Sequence, residues 1–256
     1  QVYCKNWFEV RIMLSQIKTY FKNGITINFG DTIFDVGANI GLFSLSIMHK
    51  CNMDLKIYAF EPVLDIYRIL EENANYHNYK NFNIFQFGLS NHNHDCRFEF
   101  RHHATFLSTS TNDESDKEKI EFRDIMYNNL VKTHALLKYL PAIIAKKLLG
   151  TIFGFGYSQK HVTCKMITLS DFIKAHSIQV INLLKIDVEK DEFNVLKGIS
   201  CEDWRRINQI VIEVHDIQDR LTQILKLLEL HNFQKITIEQ SPLFADTNLF
   251  QVYAVR

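Results

Sequence analysis

The chain has 256 residues, 46% of them hydrophobic and 23% charged, which is enough apolar material for one substantial core and excludes a disordered chain. Lysine plus arginine, 29, equals aspartate plus glutamate, 29, so no overall charge points to nucleic acid. The five cysteines, Cys4, Cys51, Cys96, Cys164 and Cys201, are odd in number and never at CxxC spacing, which reads as reduced thiols of a cytoplasmic protein and argues against a disulfide frame or a zinc site.

The first 25 residues read as an N-terminal helical segment, with Val10, Met13, Leu14, Ile17, Tyr20 and Phe21 at helical spacing and Gly24 as the stop. Strand and helix patterns then alternate. "TIFDV" is a short apolar strand, "IGLFSLSIMHK" a helix, "DLKIYAF" a strand, "VLDIYRILEENANYH" a helix and "NFNIFQF" a strand of period two. Later come "INLLKID", "DEFNVLKGI", "INQIVIEV", "DRLTQILKLLELHNF", "QKITIE" and "LFQVYAV". Repeated strand–helix units with short apolar strands predict a mostly parallel sheet covered on both faces, and the two closing strands predict an antiparallel hairpin at one edge.

The middle of the chain breaks this rhythm. Residues 111–124 are dense in charge, and residues 128–156 read as helix interrupted at Pro141 and punctuated by Lys132, Lys138, Lys146 and Lys147. Residues 111–160 are therefore taken as an insertion, either packed on the main domain, acting as a lid, offering a docking surface, or, least favoured, lying on a membrane surface. No apolar run reaches the ~18 residues that cross a bilayer, and no signal peptide opens the chain, so no membrane span is expected and no membrane is assigned as a partner. The start at Gln1 reads as that of an excised piece.

Two of the nine glycines, Gly37 and Gly41, stand within five residues of each other, between the first strand and the helix after it. That places Gly37 at the carboxyl end of a strand and Gly41 at a helix N-terminus, the edge where open α/β sheets bind ligands. The spacing fails the G-x-G-x-x-G of dinucleotide sites, because Asn39 and Leu42 occupy the later glycine positions. D-x-G-x-x-x-G is instead the turn of S-adenosylmethionine-dependent methyltransferases, in which Asp35 either holds the amino-acid tail or orders the turn. "KIYAFEP" ends the second strand in Glu61 and Pro62, and a carboxylate there can accept hydrogen bonds from both ribose hydroxyls. Gly88, in "FGLSN", is either an adenine contact or an ordinary turn glycine.

A second constellation follows in "LLKIDVEKDEFNVLKG". Asp187 and Glu189 close a buried strand, whereas Asp191 and Glu192 are covered by the preference of a helix start for acids. "QIVIEVHD" puts Glu213 and His215 on one side of the next strand end. A histidine oriented by Glu213 or Glu189 is a general base near neutral pH; alternatively it caps the next helix or is satisfied in a loop. Asp187, Glu189, Glu213, His215 and Asp216 have the chemistry for a divalent cation, but they form no dedicated cage and no metal is assigned.

Taken together, "FDVGANIGLFSL", "IYAFEPV", "FGLSN", "LLKIDVEKDEFNVLKGI" and "IVIEVHD" resemble the FkbM-type methyltransferase family, and more narrowly the FkbM-like O-methyltransferase domains embedded in polyketide synthases and nonribosomal peptide synthetases. The resemblance covers nearly all the chain outside residues ~111–160. It implies a class I, Rossmann-like α/β fold with a seven-stranded mostly parallel sheet, one domain over residues 1–256, and S-adenosylmethionine as cofactor. Carried onto this chain, it assigns the cofactor to Asp35, Gly37, Asn39, Gly41, Glu61, Pro62, Gly88 and Asp187. With the residue reading it places catalysis on His215, Glu213, Glu189 and Asp187. Family members often have glycine after the "DVE" acid, where this chain has Lys190. The implied reaction is O-methylation of a hydroxyl on an intermediate tethered to an acyl or peptidyl carrier protein, beside neighbouring synthase domains. The alternatives are a stand-alone O-methyltransferase acting on a small natural product or sugar, and a non-catalytic docking domain that keeps the fold.

Overall fold

The computed structural model describes residues 1–5, 7–51, 54–101, 124–125, 127–129 and 159–256. It begins with α1 (Trp7–Ile17) and a 3-10 turn (Lys18–Phe21), then runs β1 (Thr32–Val36), α2 (Leu42–Cys51), β2 (Lys56–Phe60), α3 (Leu64–His77) and β3 (Phe82–Phe85). Next are β4 (Gly88–Leu89), β5 (His94–Arg101), β6 (Gln159–Ile167), α4 (Leu169–Ala175), β7 (Leu183–Ile186), α5 (Glu192–Lys197) and β8 (Gln209–His215). The chain closes with α6 (Arg220–Leu230), β9 (Lys235–Glu239) and β10 (Leu249–Val255).

Seven strands form one sheet in the order β3-β2-β1-β7-β8-β10-β9. β3, β2, β1, β7 and β8 run parallel, and β10 pairs antiparallel with both β8 and β9, so the closing hairpin forms the expected edge. The central strands β1, β2, β7 and β8 read as near-continuous apolar runs because both faces are covered. Ile33, Ile57, Leu183 and Val211 pack under α1, α2 and α3, while Phe34, Phe60, Leu184 and Ile212 pack under α4, α5 and α6.

Two features depart from the sequence expectation. The helical segment is shorter than 25 residues: α1 ends at Ile17, a 3-10 turn follows, and Leu14 is exposed. A second sheet, β4-β6-β5, also exists, in which β5 and β6 pair antiparallel over eight residues. "HDCRFEFR" and "QKHVTCKMI" are too polar to announce strands alone, and each finds its partner only across the long intervening stretch. The expected insertion over 111–160 falls mostly outside the described residues. Its described parts are helical residues 124–125 and 127–129 and the first two residues of β6. Asn129 donates to the Ala245 carbonyl at 2.7 Å. Among the described residues no helix is long and apolar enough to cross a membrane, and Cys4, Cys96, Cys164 and Cys201 form no disulfide.

Candidate active site

The sheet reverses its winding between β1 and β7, and a cavity opens there at the carboxyl ends of β1, β2, β7 and β8. Gly37 stands at its floor with φ +75°, and a Cβ on it would lie 1.8 Å from the Asp187 carbonyl oxygen. The bare position thus lets two backbones meet, as well as letting the chain turn left-handed. Gly37 and Ala38 both donate to the Phe60 carbonyl, at 3.1 and 2.9 Å, which closes the turn. Gly41 does not line the cavity; it gives the chain a left-handed turn against Leu70.

Asp35 does not reach the cavity either. It is fully buried, accepts from Ser44 Oγ at 2.6 Å and lies 3.0 Å from the Lys185 ammonium. Of the two roles open to it, ordering the turn is the one its burial supports. Lys185, in register with Asp35 on the neighbouring strand, also donates to the Gly37 carbonyl at 2.9 Å and lies 3.6 Å from Asp187 Oδ2. Burial opposes the charge on this lysine, but Asp35 and then Asp187 outweigh it and raise its pKa. A lysine inside the apolar run "LLKI" is the signal for this ion pair, and sequence reasoning passed over it.

Glu61 lines the cavity at the end of β2 and is 5% exposed. Its Oε2 accepts from Asn39 N at 3.1 Å and its Oε1 from Val63 N at 2.9 Å. Asn39 adopts φ 50°, which turns its amide toward Glu61. Burial drives the Glu61 pKa up to about 7 against the pull of these two amides. Pro62 and Gly88 line the wall beside it.

At the opposite end, Asp187, Glu189 and Glu213 each place a carboxylate oxygen within 4.8 Å of the others. Such a trio has the donor set of a divalent cation site. Burial first, then Asp187 and Glu189, push the Glu213 pKa well up; burial also raises Glu189. Tyr20, from the 3-10 turn, donates to Asp187 Oδ2 at 2.9 Å.

His215 is not in the cavity wall; Glu189 stands between it and the cavity. Its Nε2 is 3.3 Å from Glu189 Oε2 and its Nδ1 is 2.7 Å from Glu192 Oε1. Glu192 is fully buried and also 3.0 Å from Arg220. Of the two acids expected to orient His215, Glu189 meets it and Glu213 does not, and Glu192 does more than favour a helix start. A two-residue spacing on a strand puts two residues on one side without deciding what each touches, whereas the turn after β7 folds α5 back against β8. Burial disfavours charge on His215, but Glu192 and Glu189 outweigh it and raise its pKa well above the ordinary histidine value. Asp216 stands apart from the trio and accepts from Leu221 N at 3.0 Å, at the start of α6.

The profile of the methyltransferase FkbM domain matches residues 35–235. The chain belongs to the FkbM methyltransferase family. It is similar to the 31-O-demethyl-FK506 methyltransferase FkbM of Streptomyces tacrolimicus, with 34% identity over 97% of this chain and 90% of that one. It is also 30% identical over 93% of its length to the AMB antimetabolite synthetase AmbE of Pseudomonas aeruginosa, of which the match covers 11%. Among solved structures, an FkbM methyltransferase from Methylobacillus flagellatus superposes with a TM-score of 0.55 at 12% identity, over 92% of this chain and 46% of that one. The fold is thus the class I methyltransferase fold, and the cofactor of this FkbM chain is S-adenosylmethionine. The site fits that cofactor. Each Glu61 oxygen has one backbone amide and keeps a lone pair for a ribose hydroxyl. Asp187 uses Oδ2 for both Tyr20 and Lys185.

Proposed function

We propose that this FkbM-type methyltransferase methylates a hydroxyl oxygen, and that the acceptor is carried on an acyl or peptidyl carrier protein. When bound, S-adenosylmethionine supplies an electrophilic methyl group on a positively charged sulfur. Glu61 takes the ribose hydroxyls, the Gly37–Asn39 turn faces the amino-acid tail, and Oδ1 of Asp187 receives its ammonium. Pro62 and Gly88 flank the adenine. The acceptor then approaches from the side of Glu189 and Glu213.

One observation carries the choice of oxygen: a carboxylate in the cavity wall, Glu189, backed by His215 at 3.3 Å. A neutral alcohol is a poor nucleophile until a base removes its proton. Burial makes Glu189 more basic than an ordinary carboxylate, which suits it to the task. His215, charged between Glu189 and Glu192, holds Glu189 in place and stabilises its anion. This moves the base from His215 to Glu189 and makes His215 its positioning residue.

The carrier-bound acceptor is supported by the relation to AmbE, a synthetase of which this chain resembles only a small part. In that setting the neighbouring partners are synthase domains and the location is the cytoplasm. The relation to 31-O-demethyl-FK506 methyltransferase, matched over 90% of its length, favours a second reading, a free small molecule as acceptor. Methyl-labelled cofactor incubated with a panel of hydroxyacyl groups, each carrier-bound and free, tests both. O-methyl products on the carrier-bound members alone are expected. Products on free alcohols alone would move the assignment to the second reading, and N- or C-methyl products would overturn the hydroxyl.

A further inference from the structure

Tyr20 lies outside the residues that the family profile matches, 35–235, yet it reaches into the site. It is 3% exposed, with its ring edge-on to Phe43 at 5.6 Å and the Lys185 ammonium 5.9 Å from the ring centre. The turn that carries it is clamped to β10, because Tyr253 donates to the Thr19 carbonyl at 2.8 Å and Thr19 Oγ1 donates to Gln251 at 2.7 Å. The hydroxyl is therefore held at a fixed place, where it donates to Asp187 Oδ2 at 2.9 Å. Lys185, which also lines the cavity, lies 3.6 Å from the same oxygen. Both partners thus engage Oδ2, and Asp187 is at the same time a residue of the cavity wall.

We propose that Tyr20 is a positioning residue of the methyl-donor site. Acting through Asp187, it fixes the carboxylate so that Oδ1 faces the donor's ammonium. The N-terminal segment is then a working part of the site. Without the hydroxyl, Oδ2 keeps only Lys185, at 3.6 Å, and the carboxylate is less firmly held in that orientation. This rests on Asp187 as the tail's receptor, and the test separates the two claims.

The experiment measures the affinity of the whole chain for S-adenosylmethionine and for 5′-methylthioadenosine, which lacks the amino-acid tail, by calorimetry. Tyr20→Phe keeps the ring and its packing. It is expected to weaken S-adenosylmethionine about tenfold, the size of one hydrogen bond to a charged group, and to leave methylthioadenosine within about twofold. Asp187→Asn is expected to weaken S-adenosylmethionine as well, and in that background Tyr20→Phe adds less than about twofold. Additive losses, equal losses for both ligands, or no loss in Tyr20→Phe while Asp187→Asn binds weakly, each overturn the role of Tyr20 alone. Unchanged affinity in Asp187→Asn overturns Asp187 as the receptor and the Tyr20 link with it.

Discussion

Glu192 Oε1 lies 2.7 Å from Nδ1 of His215, and the carboxylate that makes this contact is fully buried. Glu192 also carries Arg220 at 3.0 Å, so one buried anion holds two cations. Removing its charge takes a counter-ion from each and leaves His215 with Glu189 alone. Glu192→Gln should cost about 3 kcal/mol of stability, read as a shift of the urea midpoint.

The same pair makes a pH prediction. The folded-state pKa of His215 is raised, so its stabilisation is fully present below the unfolded value of about 6.5 and is lost as pH rises through the folded value. The stability difference between wild type and His215→Asn should therefore be largest in mild acid and shrink at alkaline pH. A difference that grows with pH would show that His215 is not held charged.

As the proposed ribose acceptor, Glu61 should set the pH dependence of donor binding. Its folded pKa is raised to about 7, so its contribution to the stability of the unliganded protein is present below the unfolded value and is lost as pH rises through 7. Ribose hydroxyls donate to the ionised carboxylate, so donor affinity should rise about tenfold from pH 6 to pH 8. Glu61→Gln should flatten this profile and cost roughly 1–3 kcal/mol of binding at the upper end. Calorimetry across the range checks both.

Gly30 and Gly37 share a left-handed backbone, with φ +82° and +75°, but differ in what surrounds them. An added Cβ at Gly30 meets nothing within 4 Å, whereas at Gly37 it meets the Asp187 carbonyl oxygen at 1.8 Å. Gly30→Ala should cost only the backbone term, ~1 kcal/mol. Gly37→Ala must separate β1 from β7 and should cost about 4 kcal/mol or more, with donor binding lost. Equal losses at the two positions would mean that the close approach does not matter.

Asp35 and Lys185 are a buried pair at 3.0 Å. Lys185→Met leaves a buried carboxylate without its counter-ion, with Ser44 as its remaining donor, and should cost about 3 kcal/mol. Adding Asp35→Asn to it removes the stranded charge and should restore much of that loss in a denaturant titration. A double variant no more stable than Lys185→Met would break the pairing argument.

Much of the fold is legible in the sequence. Local pattern suffices for β1, α2, β2, α3, β7, β8 and the closing hairpin, because each apolar run is bounded by turn residues and the central strands are buried on both faces. The glycine turn and Glu61 are legible for a related reason: both sit at strand ends, and strand ends in a parallel sheet converge on one edge. The β4-β6-β5 sheet is not, since its strands are held by a partner far away in the chain and little in their own composition marks them.

The site divides in the same way. Sequence supplies the residue types at the edge: Asp187, Glu189, Glu213 and His215 all lie there. Which of them touch is decided by tertiary structure. Glu192 reaches His215 because α5 packs against β8, Lys185 reaches Asp35 because β7 is in register with β1, and Tyr20 reaches Asp187 because the turn after α1 is clamped to β10. Spacing along one element tells which side a residue faces, but a contact between elements depends on register and packing, and those are set by the whole core at once.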